Sequence, residues 1–244
     1  MWWVGSKTFD VYLGTRAVVV CSKGLRVFEQ AVDGFDSAIM TLARWNAEQG
    51  TRLRLKLWLS GGLCRPFLIP AVTGIRGEGE LISIAKILAT QGTGLAGPCK
   101  VWVDHRKPGK HLVGAALDES TLIRILGLFS KAGAPKGRIV SIRPLWSEAL
   151  RIVVARRPSA TAIALQDCDS ITLVAGSAAE FDVATTTTPM FDQDSANAAV
   201  TRILLSEGLD NGPGDLTQMR LMAAKGTGAT TASTLHLGIF GPVP

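Results

Sequence analysis

The sequence predicts a mixed α/β fold made of two related halves, with a smaller α/β unit inserted between them. The order hairpin, helix, strand occurs near residues 9–59 and recurs near residues 161–239. The middle of the chain carries its own pattern of strand, strand, helix and strand. Because each pattern can bury an apolar face of its own, we expect a first half at 1–98, an insert at 99–150 and a second half at 151–244.

The first half opens with a meander of three short apolar strands. Two turn-like segments separate them, Gly14-Thr15-Arg16 and Ser22-Lys23-Gly24. A helix is then expected to begin at Asp36 and to end near Gly50. The three strands are expected at residues 9–13, 17–21 and 25–30.

The next strand, residues 52–59, alternates strictly between apolar and basic positions. Leucines occupy one face, and Arg52, Arg54 and Lys56 occupy the other. This pattern is typical of an edge or half-exposed strand, where positive charges prevent unwanted pairing. Alternatively, the three cations could recognise an acidic partner.

Two glycine-containing segments follow this strand. Residues 60–66 are expected to form a loop, with a short apolar segment at 67–70 and a helix at about 80–89. The connector 91–98 is rich in glycine, but it lacks the Gly-Lys-Ser/Thr ending of a P-loop. We therefore expect no phosphate site in the connector.

The insert has the clearest local signals of the chain. Strands are expected at 100–104, 112–116 and 138–142, and Asp118 is expected to cap a helix that Gly133 closes. The apolar face of this helix follows the spacing i, i+3, i+4 and i+7. Its members are Leu122, Ile125, Leu126 and Phe129.

The second half is expected to begin at residue 151, after a short helix at 145–150, with an extended segment at 151–155. Strands at 161–165 and 171–175 flank a tight turn, Asp167-Cys168-Asp169-Ser170. The two aspartates are interpreted as turn formers rather than as paired catalytic or metal-binding carboxylates. A further strand, a helix and a last strand are expected at 179–186, 195–208 and 234–239.

Charge and composition exclude several classes of protein. The net charge of +6 favours acidic partners, but the cations are dispersed and aromatic residues make up only 6% of the chain, so a nucleic-acid binder is not expected. The four cysteines are widely spaced and no histidine stands at ligand spacing, which predicts free thiols, a reducing compartment and no metal site. No apolar run is long enough for a membrane helix, and no signal peptide is recognised.

The basic segment between the first two strands of the insert is a second candidate for partner binding. Arg106 and Lys107 belong to it. They could bind an acidic partner or a phosphate group, but a plain exposed turn is the favoured interpretation.

The two hairpin turns resemble the phosphate hairpins of the actin-like ATPase superfamily. The family signature Asp-Ile-Gly-Thr, followed by an apolar run, matches Tyr12-Leu13-Gly14-Thr15, and a similar signature matches Asp167-Cys168-Asp169-Ser170. The element order is similar to that of the cytoplasmic domains of type II secretion L proteins and of type IV pilus M proteins. The resemblance implies an actin-like, ribonuclease H-like fold with two halves. If a nucleotide binds, Gly14, Thr15, Ser170 and Thr172 would contact it.

Two departures from the family pattern argue against catalysis. Tyr12 stands where active members have the aspartate that positions a magnesium-bound water. Asp169 stands where the second hairpin has a glycine, and its carboxylate would repel a triphosphate. We therefore expect no catalytic residues, no hydrolysis and no bound cofactor.

The resemblance then implies a non-enzymatic scaffold of a bacterial type II secretion or type IV pilus assembly platform, at the inner face of the inner membrane. The implied partners are the assembly ATPase and inner-membrane platform proteins, and a homodimer is possible. The alternative is a nucleotide-binding ATPase or phosphotransferase with an atypical site. The candidate partner-binding residues are Arg52, Arg54, Lys56, Arg106 and Lys107.

Overall fold

A computed structural model describes residues 7–49, 53–71, 77–103, 112–128, 137–156, 162–177, 180–189, 216–220 and 235–236. The helices are α1 Gly34–Glu48, α2 Glu78–Thr93, α3 Glu119–Gly127 and α4 Leu145–Arg156. The strands are β1 Lys7–Leu13, β2 Ala17–Ser22, β3 Leu25–Ala31, β4 Leu53–Leu59, β5 Cys64–Ile69, β6 Cys99–Val103, β7 Leu112–Asp118, β8 Arg138–Pro144, β9 Ala162–Gln166, β10 Ser170–Ser177, β11 Glu180–Pro189, β12 Leu216–Arg220 and β13 Leu235–His236.

Two five-stranded sheets share one topology. The first has the order β3-β2-β1-β4-β8 and the second the order β11-β10-β9-β12-β13. In each sheet an antiparallel meander of three strands comes first, and two further strands then pair in parallel with the first strand of the meander and with each other. The predicted architecture of two related halves is therefore confirmed.

A third sheet, with the order β5-β7-β6, forms the inserted unit. Its strands pair antiparallel, and α2 packs on it over a small core that includes Phe67 and Ala85. The sequence analysis was wrong to assign residues 64–69 to a loop and a short apolar segment. Pro66 suggested a break, but β5 lies at the edge of this sheet, where a residue without an N–H is tolerated.

Strand β8 belongs to the first sheet and not to the insert, contrary to the prediction. It pairs in parallel with β4, so the chain leaves the first sheet after β4 and returns to it at β8. The inserted sheet begins with β5 and is followed by α3. The predicted boundaries at 98 and 150 therefore differ from the points where the chain changes sheet, which lie before β5, before β8 and before β9.

Strand β4 lies inside the first sheet, so the edge position was wrong, whereas the half-exposed strand predicted beside it agrees with the burial of its two faces. It pairs with β1 on one side and with β8 on the other. Its leucines are buried, whereas Arg54 is half-buried and Lys56 is exposed on the opposite face. Alternation reports two different faces of a strand and says nothing about the number of neighbouring strands, which explains the error.

Two helices are longer than predicted. Helix α2 continues to Thr93 and ends at Gly94, whose φ of 67° lies in the left-handed region. Helix α4 continues to Arg156, through a segment that its β-branched residues had suggested to be extended. Val153 and Ala149 are spaced i and i+4 and are both buried in the main core, so packing on a helix face decides the conformation.

Helix α3 begins as predicted, with the Asp118 side chain as its cap. Asp118 Oδ2 accepts a hydrogen bond from Thr121 N at 2.9 Å. Ile125 is buried, but Leu126 is 52% exposed and is therefore not part of the core. Phe129, Gly133 and the helix expected at 195–208 lie outside the described residues. Within the described ranges, no helix is both long and apolar enough to cross a membrane.

Candidate functional site

The two hairpin turns singled out by sequence face each other. Gly14 N donates to Ala17 O at 3.1 Å and closes the turn between β1 and β2. Asp167 N donates to Ser170 O at 3.0 Å and closes the turn between β9 and β10. The cleft between the halves therefore lies between two tight turns, where the resemblance places nucleotide phosphates.

A third segment, the loop that follows β4, completes the site. Ser60 N donates to Leu13 O at 3.0 Å, which fixes the loop beside the first hairpin. The backbone N–H groups of Gly61 and Gly62 then point at the second hairpin. The sequence analysis predicted a loop here but missed its part in the site, although paired glycines one residue after a buried strand were a visible signal.

Asp169 links the second hairpin to the first. Its Oδ2 accepts hydrogen bonds from Thr15 N at 2.5 Å and from Thr15 Oγ1 at 2.9 Å. The side chain is 6% exposed, and its Oδ1 is buried without a hydrogen-bond partner in the described part of the chain. A carboxylate of the protein thus occupies a position where a turn N–H could bind an anion.

Asp167 links the second hairpin to the loop after β4, residues 60–62, which we call the glycine loop. Its Oδ2 accepts from Gly61 N at 2.9 Å, and its Oδ1 accepts from Ser170 N at 2.8 Å and from Asp169 N at 3.0 Å. Ser170 Oγ accepts from Gly62 N at 3.0 Å. We refer to Asp167 and Asp169 together as the carboxylate cluster.

Burial and charge act together on the titration of this site. Burial raises the pKa of Asp167, and the neighbouring Asp169 carboxylate raises it further, whereas the Gly61 N–H acts in the opposite direction. Burial also raises the pKa of the Tyr12 hydroxyl, with smaller contributions from the same two aspartates. Tyr12 Oη accepts from Cys168 N at 3.2 Å and is completely buried, so it packs the site as a neutral phenol.

Close packing explains why glycine is required at two of these positions. A Cβ atom at Gly61 would lie 1.9 Å from Thr172 Oγ1, and one at Gly14 would lie 2.6 Å from Tyr12 Oη and 2.8 Å from Asp169 Oδ2. The backbone at these two positions is therefore in close contact with side chains of the same site.

The structure brings together all four residues predicted to contact a nucleotide. Thr15 and Ser170 are hydrogen-bonded within the network, Gly14 packs against Asp169, and Thr172 Oγ1 lies 3.3 Å from Thr187 Oγ1. Two of the five partner-binding candidates belong to the described residues. Arg54 and Lys56 lie on the first sheet, and Arg52, Arg106 and Lys107 lie outside the described residues.

Comparison with solved structures identifies the fold. A Bacteroides thetaiotaomicron protein described as having an actin-like ATPase fold and unknown function matches 90% of this chain and 83% of its own, with a TM-score of 0.54 and 11% identity. The chain has an actin-like ATPase fold. Its sequence matches no protein-family model and no curated protein.

Two further neighbours share the actin-like fold at similar levels. One is the cytoplasmic domain of EpsL, an inner-membrane component of the type II secretion system of Vibrio cholerae, with a TM-score of 0.54, 14% identity, 95% of this chain covered and 89% of that chain. The other is a chain of the PilM–PilN type IV pilus biogenesis complex, with a TM-score of 0.56, 12% identity and coverages of 88% and 81%. At these identities the matches establish the fold.

Proposed function

We propose that this chain is a non-enzymatic actin-like scaffold domain of a bacterial secretion or pilus assembly platform. The observation that carries the proposal is the carboxylate cluster in the cleft between the two halves. Asp169 accepts the hydrogen bonds of Thr15, and Asp167 accepts that of Gly61. The donors that could hold a phosphate group are thus engaged within the protein.

Nucleotide binding would meet two physical costs at this site. A triphosphate would approach the buried Asp169 carboxylate, and like charges repel strongly where water is excluded. It would also displace Asp169 from Thr15 and leave a buried carboxylate without donors, which costs several kcal/mol by the order of magnitude known for unpaired buried charges. Both costs favour a cleft closed by its own side chains.

Calorimetric titration of the full chain with Mg-ATP tests the non-enzymatic part of the proposal. We expect no heat of binding at micromolar protein and no phosphate release. An Asp169→Gly variant, which restores the glycine of the family pattern, serves as the comparison because it frees Thr15 N. Micromolar binding by the unaltered chain, or measurable turnover, would overturn the proposal.

The scaffold role rests on the structural neighbours. The EpsL domain belongs to an inner-membrane component of a secretion system, and the other neighbour belongs to a pilus biogenesis complex. We infer that this chain binds the assembly ATPase and inner-membrane platform proteins at the inner face of the bacterial inner membrane. Affinity capture with the full chain as bait and the secretion or pilus assembly ATPase of the source bacterium as prey checks this assignment. Retention above that of an unrelated protein of similar charge is expected, and equal retention would contradict it.

A further inference from the structure

One face of the first sheet concentrates positive charge on two neighbouring strands. The register pairs Arg54 of β4 with Arg138 of β8, and Lys56 with Ser141. Arg143 continues the same face, since side chains two residues apart on a strand point the same way. We refer to Arg54, Lys56, Arg138 and Arg143 as the basic face.

The acidic group nearest in register does not neutralise this face. Asp10 of β1 pairs with Lys56 across the sheet, but it accepts a hydrogen bond from Trp58 Nε1 at 3.0 Å and forms no ion pair with Lys56. Lys56, Arg138 and Arg143 are exposed. Four cations therefore face a single carboxylate on the described parts of β1, β4 and β8.

Arg54 gives this face an unmet hydrogen-bonding requirement. It is half-buried, and its Nε is buried without a hydrogen-bond partner in the described part of the chain. It also lies directly opposite Arg138, and like charges in that position destabilise a pair of strands. A planar guanidinium in such a position matches the two oxygens of a carboxylate. Binding of an acidic group would satisfy the donor and reduce the repulsion together.

We propose that the basic face binds an acidic segment of a partner protein. Alternate residues of β4 lie about 6.6–7 Å apart, which is the spacing of alternate side chains in an extended peptide. Nucleic acid is less well suited, because binding single strands relies on exposed aromatic rings for stacking, and Trp58 and Tyr12 on this face are 7% and 0% exposed. The proposal deepens the scaffold role by naming the chemistry of one partner.

Fluorescence anisotropy with a labelled peptide of alternating Glu and Ser, about ten residues long and roughly 33 Å when extended, tests the proposal. The full chain should bind this peptide, and the triple variant Lys56→Glu, Arg138→Glu, Arg143→Glu should bind it at least about tenfold more weakly. Arg54→Gln, which leaves the other three cations in place, should weaken binding by a smaller factor. Near-ultraviolet circular dichroism confirms that each variant is folded.

A matched control separates a specific surface from general attraction to a basic protein. The triple variant Arg44→Glu, Lys86→Glu, Lys100→Glu makes the same change in charge at exposed positions on α1, α2 and β6. It should bind the peptide within about twofold of the original chain. Equal loss in both triple variants would overturn the proposal, as would tighter binding of duplex DNA or phosphatidylglycerol vesicles than of the peptide.

The peptide test and the nucleotide test can fail independently. Mg-ATP binding by the chain would overturn the non-enzymatic role and leave the peptide result standing. Equal peptide binding by the original chain and the basic-face variant would overturn this inference and leave the closed nucleotide cleft standing.

Discussion

The Asp169 carboxylate accepts hydrogen bonds from a turn, as a bound anion does in other turn sites. Its Oδ2 accepts hydrogen bonds from the backbone N–H and the hydroxyl of Thr15, while its Oδ1 is buried without a hydrogen-bond partner among the described residues. A substitution that removes the charge while preserving the shape should therefore reveal how much the turn depends on the carboxylate.

Asp169→Asn is expected to lower the free energy of unfolding by about 1–3 kcal/mol, because it removes the charge of the oxygen that accepts from two part-buried donors. Urea denaturation followed by tryptophan fluorescence measures the change. Asp33→Asn is the control, since Asp33 is exposed and makes no side-chain cap bond at α1. An equal effect of the two substitutions would mean that the bond to Thr15 contributes nothing measurable.

The sequence indicated that Asp169 would disfavour phosphate binding, but it did not predict the contacts of Asp169. A glycine replaced by aspartate in a phosphate hairpin indicated that triphosphate binding is disfavoured. The bond from Asp169 to Thr15 joins residues 154 positions apart, and no local pattern specifies such a pair. The same holds for Asp167, which was interpreted as a turn former and also bonds Gly61 across the cleft.

At the scale of elements, the cap of α3 is the best-specified local feature. The Asp118 carboxylate accepts from Thr121 N and from the Ser120 hydroxyl, and these bonds lower the pKa of Asp118, with the Ser120 bond making the largest contribution. Asp118→Ala should cost about 1 kcal/mol of stability. Asp33→Ala, at a cap position without a side-chain bond, should cost much less.

The pH dependence of this cap follows from the lowered pKa. The folded state holds the proton less tightly than the unfolded state, so the stabilisation is present above the ordinary carboxyl pKa and is lost as the pH falls through the lowered value. The difference in unfolding free energy between the original chain and Asp118→Ala should shrink below about pH 4. A difference that stayed constant with pH would contradict the assignment of the cap to the charged carboxylate.

The glycine loop after β4 gives a second prediction at this scale. Gly61→Ala should destabilise the chain by about 2 kcal/mol or more, because the added methyl group overlaps Thr172 Oγ1 and breaks the contact of the loop with β10. Gly92→Ala should be neutral or stabilising, since its nearest neighbour would be 3.9 Å away and the residue lies within α2. Thermal melting compares the two variants.

A second substitution tests the cause of that destabilisation. Adding Thr172→Ala removes the overlapping oxygen, so the double variant with Gly61→Ala should recover part of the lost stability. Strictly additive losses would show that the destabilisation arises elsewhere.

Local sequence patterns predicted the helices, strands and turns well, but they predicted poorly which strands lie next to each other in a sheet. The meander, the helix cap and the second hairpin follow from turn residues and periodicity, and the structure contains all of them. The edge position expected of β4, the loop expected at β5 and the placement of β8 in the insert were wrong. These errors share a cause, because strand pairing depends on residues distant in sequence, whereas alternation and proline report only the local environment.

For the whole molecule, the carboxylate cluster predicts how stability varies with pH. The pKa of Asp167 is raised in the folded state, so the folded chain holds the proton more tightly than the unfolded chain. Its contribution is fully present below the ordinary pKa of 3.8 and is lost as the pH rises through the raised value. This direction is opposite to that of Asp118.

Asp167→Asn resembles the protonated carboxyl and therefore isolates this contribution. The stability of the original chain relative to the variant should decrease between about pH 4 and pH 7. Chemical denaturation across this range measures both proteins, and taking their difference removes contributions from other carboxylates. A relative stability that rose with pH would show that the N–H donors of Gly61 and Ser170 outweigh burial.

The two-half architecture was predictable because the same order of elements occurs twice along the chain. The same element order appears in both halves, and the two five-stranded sheets repeat one topology. How the halves meet depends on side chains from three distant segments, so the sequence alone could predict the hairpins but not the network that joins them.

The hydrogen bond between Asp169 and Thr15 joins the two hairpins through a group that belongs to the polypeptide itself. A diffusible nucleotide would hold two such hairpins together only to the extent that its concentration allows. The local concentration of a tethered carboxylate is instead fixed by the polypeptide. Under the proposed non-enzymatic role, closure by this bond would not depend on the nucleotide concentration. The timing of any assembly step would then be set by a partner of the chain.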